Sequence, residues 1–147
     1  MNSKEISHMN NINFGRVIPG GLVAGLILNI GEFLLNEVLF VKQMEEMFRR
    51  MNLPRPGAAF IITAVGITFL LGIVMVCLYA MIRTRFGPGP KTAIVAAFVI
   101  WFCVYFYCGI LNATLFGVPT NLMLIGFVWG FVEYVLAALA GAWLYKE

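Results

Sequence analysis

The chain has 147 residues, of which 61% are apolar and only 12% charged, with a net charge of +3 and a mean hydropathy of +0.90. An average soluble domain is roughly 45–50% apolar and about 25% charged, and one domain of this length cannot hide the excess from water. Its solvent is therefore lipid, and so small a positive charge excludes nucleic acid as a partner.

The chain opens on a polar tail, residues 1–16, "MNSKEISHMNNINFGR", which carries the only histidine, His8. A haem held by two histidines, or a His-rich zinc site, is thereby excluded within this chain. The first apolar segment runs from Val17 to Val41. It is too long for the core of a signal peptide and lacks a clear small-residue cleavage site, so it is read as part of the mature protein. Gly21, Gly25, Asn29, Glu32 and Asn36 follow one another in it at spacings of four, four, three and four, which puts all five on one face of a helix. Glu37 lies near the exit of the segment and is read as solvated.

The connection that follows, "KQMEEMFRRMNLPRPG", is the one long loop. Met44, Met47, Phe48 and Met51 recur at helical spacing, with Glu45, Glu46, Arg49 and Arg50 largely on the other face. The pattern predicts a short amphipathic helix on the membrane surface, ended by Pro54 and Pro56.

The second apolar segment spans Ala58 to Ile82, the third Thr92 to about Leu115, and the fourth Leu122 to Tyr145. Between the second and third, Gly87-Pro88-Gly89-Pro90 reads as a turn, since no strand-to-helix context makes it a phosphate cradle. As a helix each apolar segment is roughly 36 Å long at 1.5 Å per residue, longer than a hydrocarbon core of about 30 Å, so tilt is expected. Barrel strands would be shorter and would alternate. The fold class is therefore all-α: a polytopic membrane protein with transmembrane helices at about 17–41, 58–82, 92–115 and 122–145. These form an up-down bundle over residues 17–147, with the short interfacial helix in the first loop. Cys77, Cys103 and Cys108 are odd in number and have no CxxC spacing, which favours buried small hydrophobes over a metal site or a disulfide framework.

Lysine and arginine placement sets the orientation. Lys4, Arg16, Arg83, Arg85, Lys91 and Lys146 fall on one side, against Lys42, Arg49, Arg50 and Arg55 on the other. Both termini are accordingly placed in the cytoplasm, and the bilayer is read as a bacterial cytoplasmic (inner) membrane.

The fourth segment carries Gly126, Gly130, Glu133, Ala137 and Gly141, a second stripe of small residues with a carboxyl in its middle. Such stripes let helix backbones approach closely in lipid. With the first and fourth helices antiparallel, Gly21 and Gly25 are expected to face Ala137 and Gly141, while Gly126 and Gly130 make room for Asn36. Glu133 lies near the middle of its segment and Glu32 roughly 4–5 Å outward of the middle of its own, so the two carboxyls are expected to meet. An ionised carboxylate at the bilayer centre costs roughly 2.5–3.5 kcal/mol on insertion scales, and no lysine, arginine or histidine lies mid-helix to offset it. Two adjacent carboxyls also resist joint ionisation, so at least one is expected to hold a proton. Tyr105 and Asn112 of the third helix are the neutral polar candidates for the same site. The plainest role for such groups is interhelical hydrogen bonding, worth about 0.6 kcal/mol on average; a cation, proton or ligand site and pairing with another subunit are the alternatives.

The stretches "GLVAGLILNIGEFLLN", "RFGPGPKTA" and "GFVEYVLAALAGAWLYKE" together resemble small four-helix bacterial integral membrane proteins that carry no assigned activity. The resemblance covers nearly the whole chain and implies the four-helix fold and the bacterial membrane. Small multidrug-resistance carriers also have four helices and a carboxylate in the first. Here the chain is longer, the first loop is large and a second carboxylate stands in the fourth helix, so their sites are not transferred.

Two functions follow as expectations. The first is a non-enzymatic accessory subunit of a larger membrane complex, an energy-converting one for example, in which other membrane subunits order the polar tail and pair the carboxylates. The second is a small proton- or cation-coupled carrier that exchanges its ion at Glu32 and Glu133, with Asn29, Asn36 and Tyr105 as neutral ligands. A weaker third is a pigment- or quinone-contacting subunit; the spacing identifies no cofactor and no metal site.

Overall fold

A computed structural model describes residues 12–145 of the chain; His8, Lys4, Lys146 and most of the polar tail lie outside the described residues. Those residues form helices and connections without a strand. Helix α1 spans Phe14–Phe33 and runs on through a wider π-helical turn, Leu34–Leu39. Helix α2 is Val41–Arg50 and α3 is Ala58–Phe86. Helix α4, Pro90–Ile100, passes through a second π-helical turn, Trp101–Phe106, into α5, Tyr107–Phe116. Helix α6 is Thr120–Leu144. Four continuous helical stretches result, of 26, 29, 27 and 25 residues, each long and apolar enough to cross a membrane. At 1.5 Å per residue they measure about 38–44 Å.

The spans begin and end a few residues from where hydropathy puts them, because basic residues continue a helix as well as they flank it. Arg16 lies in the first turn of α1. Arg83 and Arg85 lie in the last turn of α3, where a cation meets the negative end of the helix dipole. Gly87 and Gly89 then take φ of +82° and +132°, a backbone that glycine adopts without a Cβ clash. Pro90 opens α4 where its missing N–H leaves no bond unmade. The Gly89 N–H donates to the Tyr79 hydroxyl and the Thr92 hydroxyl to the Gly87 carbonyl, at 3.2 and 2.6 Å. Helix α2 stops at Asn52, whose φ is +52°, before either proline is reached.

Packing is closest at the end of the molecule where α1 begins and α6 finishes. A Cβ on Gly20 would come within 2.7 Å of the Gly141 carbonyl oxygen, and one on Gly21 or Gly72 would strike the backbone of the facing helix. Ala24, Ala93, Ala96, Ala97, Ala137 and Ala138 fill the same region, all at or below 2% exposure. Tyr145 closes it: its hydroxyl accepts the Asn13 N–H at 3.3 Å, its ring meets Tyr79 edge-on, and the Arg83 guanidinium lies 5.1 Å over that ring. More of the first and last spans is buried than of the two middle ones, so α1 and α6 form the inner pair.

The glycines differ from expectation in their partners. Gly21 and Gly25 lie against Ile73 and Phe69 of α3, with Gly72 fitting between them, and not against Ala137 and Gly141. The stripe of α1 that meets α6 is the neighbouring one: Gly20 and Ala24 lie against Gly141, and Gly31 against Glu133. A 3.6-residue helix sets these two stripes roughly 100° apart, so small residues on both let α1 approach two helices at once. The cysteines differ too. Cys77 is half-buried, whereas Cys103 and Cys108 are exposed, since a helix face turned outward to lipid takes the residues that a soluble core would.

Candidate functional site

Glu133 stands one helical turn past Trp129 on α6 and is 5% exposed. The Trp129 indole N–H donates to both Glu133 Oε2 at 3.1 Å and the Gly31 carbonyl at 3.2 Å, a three-centre bond that ties α6 to α1. A side chain on Gly31 would occupy the place of the Glu133 carboxyl. Glycine there gives the acid its room between the helices. Glu133 Oε1 is buried with no hydrogen-bond partner. Leaving one buried acceptor unsatisfied costs about 1–3 kcal/mol, and more for a charge.

Glu32 sits at the last full α-turn of α1, just before the π-helical turn. That turn adds a residue per turn and closes with the Phe40 N–H donating to the Leu35 carbonyl at 2.8 Å. Asn36 lies four residues after Glu32, and its amide donates to the Glu32 carbonyl at 2.9 Å and to Glu32 Oε2 at 3.0 Å. The two carboxyls lie within electrostatic range of each other, and of the Tyr105 and Tyr134 hydroxyls. Tyr105 comes from the second π-helical turn, its ring edge-on to Tyr134 at 5.8 Å. Both irregular turns thus supply a side chain to one polar cluster.

Among the described residues no lysine, arginine or histidine pairs with either carboxyl. Arg83 stands over Tyr145, about 18 Å along α6 from Glu133 at 1.5 Å per residue. The one ion pair that joins described acidic and basic side chains at the surface is Arg55 with Glu45. No group of three or more metal-ligating side chains forms among the described residues.

Of the residues singled out from sequence, Glu32, Glu133, Asn36 and Tyr105 come together. Asn29 does not join them: its amide donates to the Gly25 carbonyl at 2.8 Å and reaches the Val65 carbonyl of α3 at 3.5 Å. Asn112 donates to the Cys108 carbonyl at 2.8 Å and lines a cavity to which Tyr105 also contributes. Gly130 makes room for the Tyr105 ring, 2.7 Å from where a Cβ would stand, and not for Asn36. A Cβ on Gly126 would meet nothing within 4 Å. Glu37 is exposed.

Three contributors were missed: Gly31, Trp129 and Tyr134. The Trp129–Glu133 spacing of four was legible as one face of a helix, and Gly31 extends the stripe begun by Gly20 and Ala24. Tyr134 gives no such signal, being one apolar-bodied residue among many.

The cavity measures about 530 Å³ and lies between the end of α1, the underside of α2, and α5 with the start of α6. Asn36 and Tyr105 belong to its wall, and Asn36 in turn is hydrogen-bonded to the Glu32 carboxyl. Comparison of the chain with known protein families, with curated proteins and with solved structures gives no match among any of them.

Proposed function

We propose that this chain is a proton- or cation-coupled carrier of a bacterial inner membrane, with Glu32 and Glu133 as the exchange site. The observation that carries the reading is Glu133 Oε1, a carboxyl oxygen buried without a partner beside a second carboxyl and with no basic side chain in reach. Such a group is satisfied by a proton or by a cation. A site that alternates between the two couples their movements, because only one occupant fits at a time. In this reading the spans form an up-down bundle with both termini cytoplasmic. Helix α2 rests on the outer membrane surface, with Met44, Met47 and Phe48 half-buried and Glu45, Glu46, Arg49 and Arg50 exposed, Glu46 and Arg50 also lining the cavity. Proton flux into proteoliposomes tests it: wild type is expected to carry protons at least ten-fold faster than Glu133→Gln or Glu32→Gln at equal reconstitution. Equal flux in all three removes the proposal.

A second reading, the accessory subunit, draws support from α3. From Ala58 to Gly66 that helix is exposed on nearly every side, and a Cβ on Gly66 would meet nothing within 4 Å. Another membrane subunit packed there would give this stretch the inner face it lacks in the single chain. Native electrophoresis of gently solubilised membranes decides: migration in a larger complex supports it, and migration only as monomer or homodimer rejects it.

A further inference from the structure

We propose that the cavity is a phospholipid site, in which a zwitterionic head of phosphate and primary ammonium meets α2 and one acyl chain lies along α5. The proposal stands apart from the exchange reading, since neither Glu32 nor Glu133 belongs to the wall.

The place of the cavity in the fold sets the class of ligand. Its wall takes in Phe40 just past the first span, Phe116 at the end of the third, and Pro119 just before the fourth. It therefore lies where three spans meet the membrane surface, at the depth where head groups give way to hydrocarbon. From there Val104, Cys108, Asn112 and Phe116 follow one another four residues apart along the third span, each lining the cavity and each exposed. Residues four apart share one face of a helix, so this side of the cavity is an open groove. Its twelve residues, at 1.5 Å each, make it roughly 18 Å long. Half of a hydrocarbon core is about 15 Å. An acyl chain that reaches through one leaflet fits such a groove, and a compact solute would leave most of it empty. The facing wall is largely carbon, with Leu35, Leu122, Met123 and Phe127, and methionine adapts to irregular apolar shapes.

The head group follows from the charges on the wall. Glu46 and Arg50 stand one turn apart on α2, both exposed and both lining the cavity. Neither forms an ion pair with another described residue; the acid of α2 that does is Glu45, with Arg55. An acid and a guanidinium side by side, each without a partner, complement a ligand that carries one charge of each sign. Arginine meets a phosphate through parallel N–H groups, and a carboxylate accepts the N–H groups of an ammonium. A phospholipid with phosphate and primary ammonium in its head supplies both charges and the chain. A purely anionic head would meet repulsion at Glu46.

The test is native mass spectrometry of the full chain in detergent, titrated with phosphatidylethanolamine and, separately, with phosphatidylglycerol of the same acyl chains. One phosphatidylethanolamine per chain is expected, held about ten-fold more tightly than phosphatidylglycerol, the size of one charge-assisted hydrogen bond. Glu46→Gln, a change at an exposed position, is expected to abolish that preference, and Arg50→Gln to weaken binding of both lipids. Gly126 lines the cavity, and a Cβ there would meet nothing within 4 Å; Gly126→Leu is therefore expected to fill the site and weaken both lipids about ten-fold. Glycerophosphoethanolamine, the same head without chains, is expected not to displace the lipid. Equal affinity for the two lipids in wild type, a preference unchanged in Glu46→Gln, full binding in Gly126→Leu, or displacement by the chainless head overturns the proposal.

Discussion

At the end of the molecule where Asn13 meets Tyr145, α1 touches its neighbours backbone to backbone, Gly20 on Gly141 and Gly72 between Gly21 and Gly25. At the end that carries α2, the same helices part around Glu32, Glu133, two π-helical turns and a cavity of about 530 Å³. Hydropathy marks all four helical stretches as able to span a membrane and does not say which end is close-packed. The distinction lies in residue size and hydrogen bonding. In lipid there is no hydrophobic gain from bringing helices together, and stability comes from close packing of small residues. A chain that needed only to be stable would continue that packing through its whole length. This one interrupts it with an unsatisfied buried acid, and each interruption is built from residues that make room for it, Gly31 for Glu133 and Gly130 for Tyr105.

Substitutions that reverse the two characters sharpen the contrast. The largest effect is expected from Gly72→Leu, whose side chain would enter the backbone of α1 at Gly21 and Gly25. Overpacking commonly costs about 1–3 kcal/mol, and rigid backbone on the far side takes it to the top of that range or beyond. Thermal unfolding in detergent reads it, and an unchanged midpoint would show that this end is not close-packed. Gly31→Ala comes next, with a methyl in the place of the Glu133 carboxyl. It should cost about 1–3 kcal/mol and slow proton flux at least ten-fold; full flux would mean that the position of Glu133 is unimportant.

Trp129→Phe removes a donor from both Glu133 and the Gly31 carbonyl while keeping an aromatic ring. A loss of about 1–2 kcal/mol is expected, again by thermal unfolding, and no loss would mean that the indole N–H does not tie α6 to α1. The smallest effect belongs to Arg55→Ala, since Arg55 and Glu45 are 62% and 50% exposed at their side chains. An exposed pair contributes roughly 0–1 kcal/mol, so the melting midpoint should hardly move. A large drop would place that loop inside the cooperative structure.

The helices themselves were legible, because a run of apolar residues long enough to span a bilayer leaves few alternatives. The amphipathic pattern over Met44, Met47 and Phe48 likewise marks α2, and Gly87 and Gly89 mark the turn before α4. Which glycine faces which helix was not legible. Gly20 and Gly21 are adjacent, yet one meets α6 and the other α3, and sequence spacing does not say which partner takes which stripe. The expected meeting of Glu32 and Glu133 rested on their depths; of their expected neighbours, Asn36 donates to the Glu32 carboxyl and Tyr105 packs against Gly130. Asn29 turns away, because the i, i+4 row that it shares with Gly21 and Gly25 leads to α3. The π-helical turns, which hold Asn36 and Tyr105, leave no clear trace in the residues.

The most direct test of the exchange site is the infrared difference spectrum of the reconstituted protein on raising pH, read in the carbonyl stretching region of carboxylic acids. The account predicts a carboxylic acid band in wild type that disappears as the proton leaves, and that is missing from Glu133→Gln. A spectrum without any such change, or one that Glu133→Gln leaves intact, would contradict it.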